Sequence, residues 1–181
     1  MYKRQDIVYT PIDVARDCIE FTKPFLSDTD FLYEPFSGED AFYNNFPKGN
    51  PKDWSEIERR RDFFDSDIII KKTDWIISNP PYSLFNEILP KMLECKKGFC
   101  VLVNNLTITP TRLNKINKAG FYISLIYYFK IYHWFGYQFY YIFEKRKDKK
   151  NILEMKYRQQ CYKETKEDIE AIEFLKDDED F

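Results

Sequence analysis

The chain has 181 residues, 44% of them hydrophobic, which is the size of one domain and excludes disorder along the whole length. Its 28 Lys and Arg stand against 30 Asp and Glu, a formal net charge of −2, so overall charge does not mark a nucleic-acid binder. The distribution says more: residues 112–163 hold 12 basic and 3 acidic residues, whereas nine acids and two lysines run from Glu164 to the end, a basic body followed by an acidic tail.

In chain order, Asp13 to Lys23 reads as a helix, with Val14, Cys18, Ile19 and Phe21 as its apolar stripe, Thr10-Pro11 as its start and Pro24 as its stop. Asp30 to Tyr33 is a short apolar strand that runs into Glu34-Pro35-Phe36-Ser37-Gly38-Glu39-Asp40, a turn of small and acidic residues. Ala41 to Phe46 is a short helix and Lys48 to Asp53 a Pro/Gly/Asn loop. Trp54 to Ile57 is a further strand candidate, with Asp62-Phe63-Phe64 just beyond it. Trp75-Ile76-Ile77, within Asp74 to Ser78, has the signature of a buried strand. It stops at Asn79-Pro80-Pro81-Tyr82. A helix is expected over Leu84 to Lys96, with a kink at Pro90, then a buried strand over Gly98 to Val103 and a helix over Asn114 to Lys118 that Gly120 terminates.

Thirteen of the 23 residues from Phe121 to Phe143 are aromatic, and they divide into strands Tyr122–Tyr132 and Tyr137–Glu144 around Trp134-Phe135-Gly136, a hairpin pattern. Glu144 to Asn151 is a charged turn and Ile152 to Tyr157 a last strand. The tail reads as helical from Glu164 to Leu175, with a frayed end. Strands alternating with helices, closed by a hairpin, specify an open α/β sheet, whose ligands bind outside the carboxyl ends of the strands. Residues 1–163 are therefore expected to form one domain, with 164–181 as its tail.

Four cysteines without a Cys-x-x-Cys pair and a single histidine, His133, offer no spacing for a zinc site, and no metal is expected. One histidine also weakens any Ser-His-Asp or Cys-His nucleophile scheme. No apolar run reaches membrane-spanning length and the start lacks a signal-peptide pattern, so an intracellular, cytoplasmic protein with no membrane partner is expected.

Asn79-Pro80-Pro81-Tyr82 carries the chemistry. An exocyclic aromatic amine such as adenine N6 is a poor nucleophile, because its lone pair is delocalised into the ring. The Asn79 side-chain oxygen and the Pro80 carbonyl can accept both amine hydrogens and favour the pyramidal nitrogen of the transition state. The two prolines hold the turn rigid, and Tyr82 offers a flat face to an extruded base. Alone, such a tetrad is equally readable as a rigid turn after a strand.

With its neighbours, the tetrad resembles the Asn/Asp-Pro-Pro-Tyr/Phe motif of the S-adenosylmethionine-dependent amino-group DNA methyltransferases that modify adenine N6. The resemblance runs to about Glu144. It implies a Rossmann-like class I methyltransferase sheet, mostly parallel with a C-terminal antiparallel hairpin. It also implies direct in-line methyl transfer to adenine N6 of a flipped-out base in DNA, with S-adenosylmethionine as cofactor. Within it, Asn79, Pro80, Pro81 and Tyr82 are the catalytic turn. Tyr9-Thr10-Pro11 looks like the segment whose threonine helps hold the cofactor's methionine carboxylate, and Glu34, Pro35, Phe36 and Gly38 look like the cofactor loop. Glu56 falls where an acid binds the ribose hydroxyls. Asp62-Phe63 resembles the pair that binds and stacks on the cofactor adenine, and Asn79 also borders the cofactor. Thr10-Pro11 reads equally as a helix start, and Glu56 and Asp62 lie in a highly charged run.

The chain departs from the family in three ways. Gly38-Glu39-Asp40 stands where Gly-x-Gly is usual, so Asp40 bears on cofactor affinity through its backbone and its charge. Only five residues separate Glu56 from Asp62, too few for a parallel crossover, so one helix or strand of the sheet is missing. No separate target-recognition domain is evident, so substrate selection falls to the core surface, the tail, a dimer or a specificity partner. Arg112, Lys115, Lys118, Lys145, Arg146 and Lys147 are candidate phosphate contacts and Trp134 a candidate stacking residue. Adenine in RNA and a protein glutamine amide are the alternative substrates, and a methyltransferase-fold binding module without activity is the alternative of another class. Twenty lysines to eight arginines, with many Ile, Asn, Phe and Tyr, match an AT-rich genome and suggest a viral or phage origin.

Overall fold

A computed structural model describes residues 8–151 and 154–162; the helix expected over 164–175 lies outside the described residues. Helix α1 (Ile12–Thr22) opens the fold with Pro11 at its N-cap and passes into a 3-10 turn over Lys23–Phe25. Strand β1 (Leu32–Glu34), helix α2 (Ala41–Asn45) and strand β2 (Lys52–Trp54) follow. Next come helix α3 (Asp67–Lys72), strand β3 (Trp75–Ser78), helix α4 (Phe85–Met92) and strand β4 (Gly98–Asn104). Helix α5 (Pro110–Lys118), strands β5 (Phe121–Phe129) and β6 (Gln138–Lys145), and strand β7 (Glu154–Tyr157) complete it.

The strands form one sheet of order β2-β1-β3-β4-β6-β5-β7. β1 is parallel to both β2 and β3, and β3 to β4; β6 alone runs against its neighbours β4 and β5; β7 is parallel to β5. This is the mostly parallel α/β sheet with a C-terminal hairpin that the pattern specified. No strand lies outside β2 among the described residues, and 3-10 turns occupy Ile57–Arg59 and Phe63–Asp65, in line with the shortage of chain there.

Period-two alternation divides the strand side chains between two cores. Leu32, Trp75, Ile77, Cys100 and Leu102 face Val14, Cys18 and Phe42 of α1 and α2. Tyr33, Ile76, Phe99, Val101 and Val103 face Ile70, Phe85, Ile88 and Ile116 of α3, α4 and α5. Gly98 sits where a Cβ would stand 2.3 Å from the Trp75 ring and 2.5 Å from the Phe143 carbonyl, so β4 can lie this close only with glycine there. The aromatic run is explained by pairing across strands: Phe99 and Phe143 stack at 4.7 Å, and Tyr128 meets Phe139 at 4.9 Å, each pair adding about 0.5–1.5 kcal/mol beyond burial.

Several boundaries move. The strand expected at Trp54–Ile57 is Lys52–Trp54: the Ser55 N–H makes the last rung to the Glu34 carbonyl, where β1 ends, and a 3-10 turn follows over Ile57–Arg59. The helix expected to Lys96 ends at Met92, since the chain must reverse before β4. Helix α3 has no counterpart in the sequence reading. Its Ile68-Ile69-Ile70 run suits a strand equally, and the overlooked signal is charge: Asp67 in the first turn and Lys71-Lys72 in the last complement the helix dipole. No helix among the described residues is long and apolar enough to cross a membrane.

Candidate active site

The chain leaves β1 toward β2 on one side and returns to β3 on the other, so the order of strands reverses between β1 and β3. Such a switch point opens a crevice at the carboxyl ends of the strands. Here it is an open cleft with about 280 Å³ of empty space, including what is open to solvent. Val8, Tyr9 and Thr10 line it from the N-terminal side, Glu34, Phe36, Ser37, Gly38, Glu39 and Ala41 from the segment after β1, and Asn79 from the end of β3. Segments that the sequence keeps far apart thus converge, and Val8, Ser37, Glu39 and Ala41 join the residues expected there. Pro35, next to them in the chain, is buried.

Gly38 has φ +50°, and a Cβ on it would stand 3.0 Å from the Tyr9 ring, so glycine lets the loop and the N-terminal segment close on each other. Glu56 accepts the Gly38 N–H at 2.8 Å, which braces this loop. Asp40 takes the left-handed conformation, φ +65°, at the N-cap of α2. Arg59 answers its charge. The guanidinium donates to both Asp40 carboxylate oxygens, at 2.9 and 2.6 Å, to the Ser37 hydroxyl, and to the Gly38 carbonyl at 3.2 Å. It lies over the Trp54 ring, 3.9 Å from the centroid. The Arg59 hydrogen bonds hold the Asp40 carboxyl below its usual range.

Glu34 is 1% exposed, and one carboxylate oxygen accepts the Tyr43 N–H at 2.6 Å. Burial pushes its carboxyl well above the usual range; the Tyr43 bond opposes this and the nearby Asp40 and Glu56 add to it. Tyr9 is likewise raised, by burial and then by Glu58, Glu39 and Glu56. The rim is therefore rich in carboxylates.

Asn79 donates from Nδ2 to the Val8 carbonyl at 3.2 Å. A carbonyl only accepts, so this contact fixes which way the amide faces and turns Oδ1 away from Val8. Pro80 and Pro81 are buried and Tyr82 half-buried at the start of the 3-10 turn that leads into α4; burial raises the Tyr82 phenol and keeps it neutral. Ser78, the last residue of β3, carries a buried hydroxyl with no hydrogen-bond partner.

Other candidates are placed elsewhere. Asp62 accepts the Phe64 N–H at 2.9 Å and caps its own 3-10 turn. Phe63 is 1% exposed, packed against Phe36 at 5.1 Å and Tyr33 at 6.4 Å, so as folded its ring is a core element with no open face for a cofactor adenine. Arg112 lies at the carboxyl end of the strands, where it donates to Asn86 at 2.9 Å and to the Thr107 carbonyl at 2.6 Å. Lys115 and Lys118 are exposed further along α5.

Lys145, Arg146 and Lys147 sit at the opposite end of the sheet from Asn79: β6 is antiparallel to β4, and Glu144 pairs with Gly98, the first residue of β4. Trp134 is half-buried against the core under α1, whereas its neighbours Tyr132, Phe135 and Tyr137 are 57%, 85% and 52% exposed. This hairpin tip lies at the carboxyl end, since Gln138 pairs with Asn104, and Leu106 is exposed on the adjoining loop. The aromatic density of residues 132–137 signalled the tip, but not which rings face out.

No protein-family model and no curated protein sequence matches the chain. Solved structures match its fold. A protein described as a class I S-adenosylmethionine-dependent methyltransferase, from Listeria monocytogenes, aligns over 95% of this chain and 73% of its own, with TM-score 0.58 and 12% identity. The M protein of the type I restriction enzyme EcoKI aligns over 76% of this chain at TM-score 0.53 and 11% identity, and the match spans 44% of the M protein. A protein described as an RNA methyltransferase, from Pyrococcus horikoshii, aligns over 74% of this chain and 84% of its own, with TM-score 0.50 and 14% identity. The likeness is one of fold: the α/β sheet is Rossmann-like, as in these methyltransferases.

Proposed function

We propose that the chain is an S-adenosylmethionine-dependent methyltransferase acting on the exocyclic N6 amine of adenine in DNA. The observation that carries the reading is the convergence of Thr10, Glu34, Gly38 and Asn79 on one cleft at the switch point of the sheet. The donor set fits the cofactor. S-Adenosylmethionine bears a sulfonium and an ammonium, and a carboxylate-rich rim suits both cations. Its one carboxylate would meet Asp40, whose charge Arg59 already satisfies.

Bound in the cleft, the cofactor supplies an electrophilic methyl group. The chain supplies the rest. Thr10 and the Gly38 loop hold the amino-acid end, and Glu34 and Glu56 favour its positive charge and the ribose hydroxyls. Asn79 Oδ1, held by the Val8 contact, and the Pro80 carbonyl accept the two amine hydrogens. That draws the nitrogen lone pair out of conjugation as the new bond forms, a stabilisation specific to the transition state. The amine proton released afterwards passes from these acceptors to water. Tyr82, kept neutral by burial, offers a face to the extruded base.

The test is incubation of DNA, RNA and protein fractions with methyl-labelled cofactor, read by mass spectrometry. N6-methyladenine in DNA, absent with Asn79→Ala, is the expected result. Label confined to RNA or to glutamine reassigns the acceptor, and no cofactor binding by calorimetry at millimolar concentration makes the chain a binding module.

A further inference from the structure

We infer that the amino ends of the parallel strands, opposite the cleft, form a second surface that binds the phosphate backbone of duplex DNA. The inference rests on the DNA reading above. Helix α3 runs back toward the amino end and finishes in Lys71-Lys72, and α5 does so in Lys118. The turn after α4 adds Lys96 and Lys97, and the turn after β6 adds residues 145–150, five of them basic.

Contacts join these into one band. Lys96 Nζ donates to the Lys72 carbonyl at 2.9 Å. The Lys145 N–H donates to the Lys97 carbonyl at 2.7 Å, and the Arg146 N–H to the Gly120 carbonyl, just past Lys118, at 3.1 Å.

Helix-dipole complementation accounts for lysines that end α3 and α5, but not for the turns after α4 and β6. The acids in the band are fewer, and several are engaged. Asp30 is 1% exposed and paired with Lys97, Asp148 is held by Arg146, and Asp74 accepts the Phe31 N–H. Lys118, Lys147, Lys149 and Lys150 are exposed and make no ion pair among the described residues. Among the described residues, none of the exposed large hydrophobic side chains falls in the band, which points to a partner held by charge. An extended, regularly charged polyanion is that partner: a DNA duplex carries one charge per about 1.7 Å.

The seven residues of β4 put about 20 Å between this band and the cleft, at about 3.3 Å per residue. The band therefore holds DNA well away from the base in the cleft and adds affinity without reading sequence.

The experiment is fluorescence anisotropy of the full chain with a labelled duplex several helical turns long, across a salt series. Two double variants probe the two sides of the band, Lys72→Glu/Lys96→Glu and Lys118→Glu/Lys147→Glu, and Lys156→Glu on β7 is the control. Each double variant is expected to weaken binding about tenfold or more and to flatten the slope of log K against log salt by about 2, near 0.9 per lost phosphate contact. The control keeps wild-type values. Wild-type binding by either double variant, equal loss in the control, tighter binding to single-stranded RNA than to the duplex, or no duplex binding by the wild type overturns the inference. Cofactor calorimetry on the same variants keeps this separate from the catalytic reading. Loss of DNA binding with intact cofactor binding concerns the band alone, and absence of cofactor binding in the wild type concerns the cleft.

Discussion

Arg59 and Asp40 form a two-pronged ion pair across the loop that follows β1, at 2.9 and 2.6 Å, with the guanidinium lying on Trp54. Position 40 takes a left-handed conformation that glycine adopts without penalty, so an aspartate there brings both strain and charge. Arg59 addresses the charge and ties the same loop at Ser37 and the Gly38 carbonyl. The two residues are thus expected to depend on each other. Arg59→Ala leaves Asp40 unpaired and weakens S-adenosylmethionine binding about tenfold, the scale of one hydrogen bond to a charged group. Asp40→Gly alone has little effect, and the double variant recovers most of the affinity. Calorimetry on the four proteins checks this, and an additive cycle contradicts it.

Under the proposed function, Asn79→Ala removes the acceptor for the amine but no core contact. It is expected to lower kcat about 10²- to 10³-fold, the usual cost of one preorganised polar group, with Tm nearly unchanged. Single-turnover kinetics with a thermal melt of the same sample separates lost chemistry from lost fold.

Burial raises the Glu34 carboxyl, which makes stability depend on pH. With the folded pKa above the unfolded one, its contribution is complete below the unfolded value, about 4.3, and is lost as pH rises through the folded value. Glu34→Gln keeps an acceptor for the Tyr43 N–H and removes the buried charge. It is expected to raise Tm at neutral pH by a few degrees and to flatten the fall of Tm with rising pH. Under the proposed function, binding of the cationic cofactor draws Glu34 into its ionised form, so cofactor affinity is expected to rise with pH in the wild type. That rise disappears in the variant, as calorimetry at several pH values will show.

The hairpin tip separates a packing residue from surface ones. Trp134→Ala empties a half-buried site and is expected to cost about 1–3 kcal/mol in denaturant unfolding. Phe135→Ala, at a ring 85% exposed, stays within about 0.5 kcal/mol of wild type. Under the proposed function, Phe135→Ala is also expected to raise KM for DNA, measured by initial rates, since the exposed ring lies at the same end of the sheet as the cleft.

Much of this protein is written locally. The buried strands at Trp75–Ser78 and Gly98–Asn104, the aromatic hairpin and the loop after β1 are legible because each is a short run whose apolar pattern or turn chemistry needs no distant partner. The tetrad is legible for the same reason: its prolines stop the strand that precedes it. Helix α3 is less legible, since three consecutive isoleucines satisfy either periodicity; the charges at its two ends favour a helix, and packing of Ile70 against the sheet fixes it.

The tertiary structure alone decided three things. It set Arg59 on Asp40, 19 residues away, where the sequence shows only a charged run. It sent Phe63 into the core and turned Phe135 outward, because burial depends on what lies above a ring and not on the ring itself. It also divided the basic residues between two ends of the sheet. A reversed β6 carries Lys145 back to the start of β4, so charges that form one basic segment in the chain lie about a strand length from the cleft. Sequence spacing records order along the chain; strand direction converts that order into position.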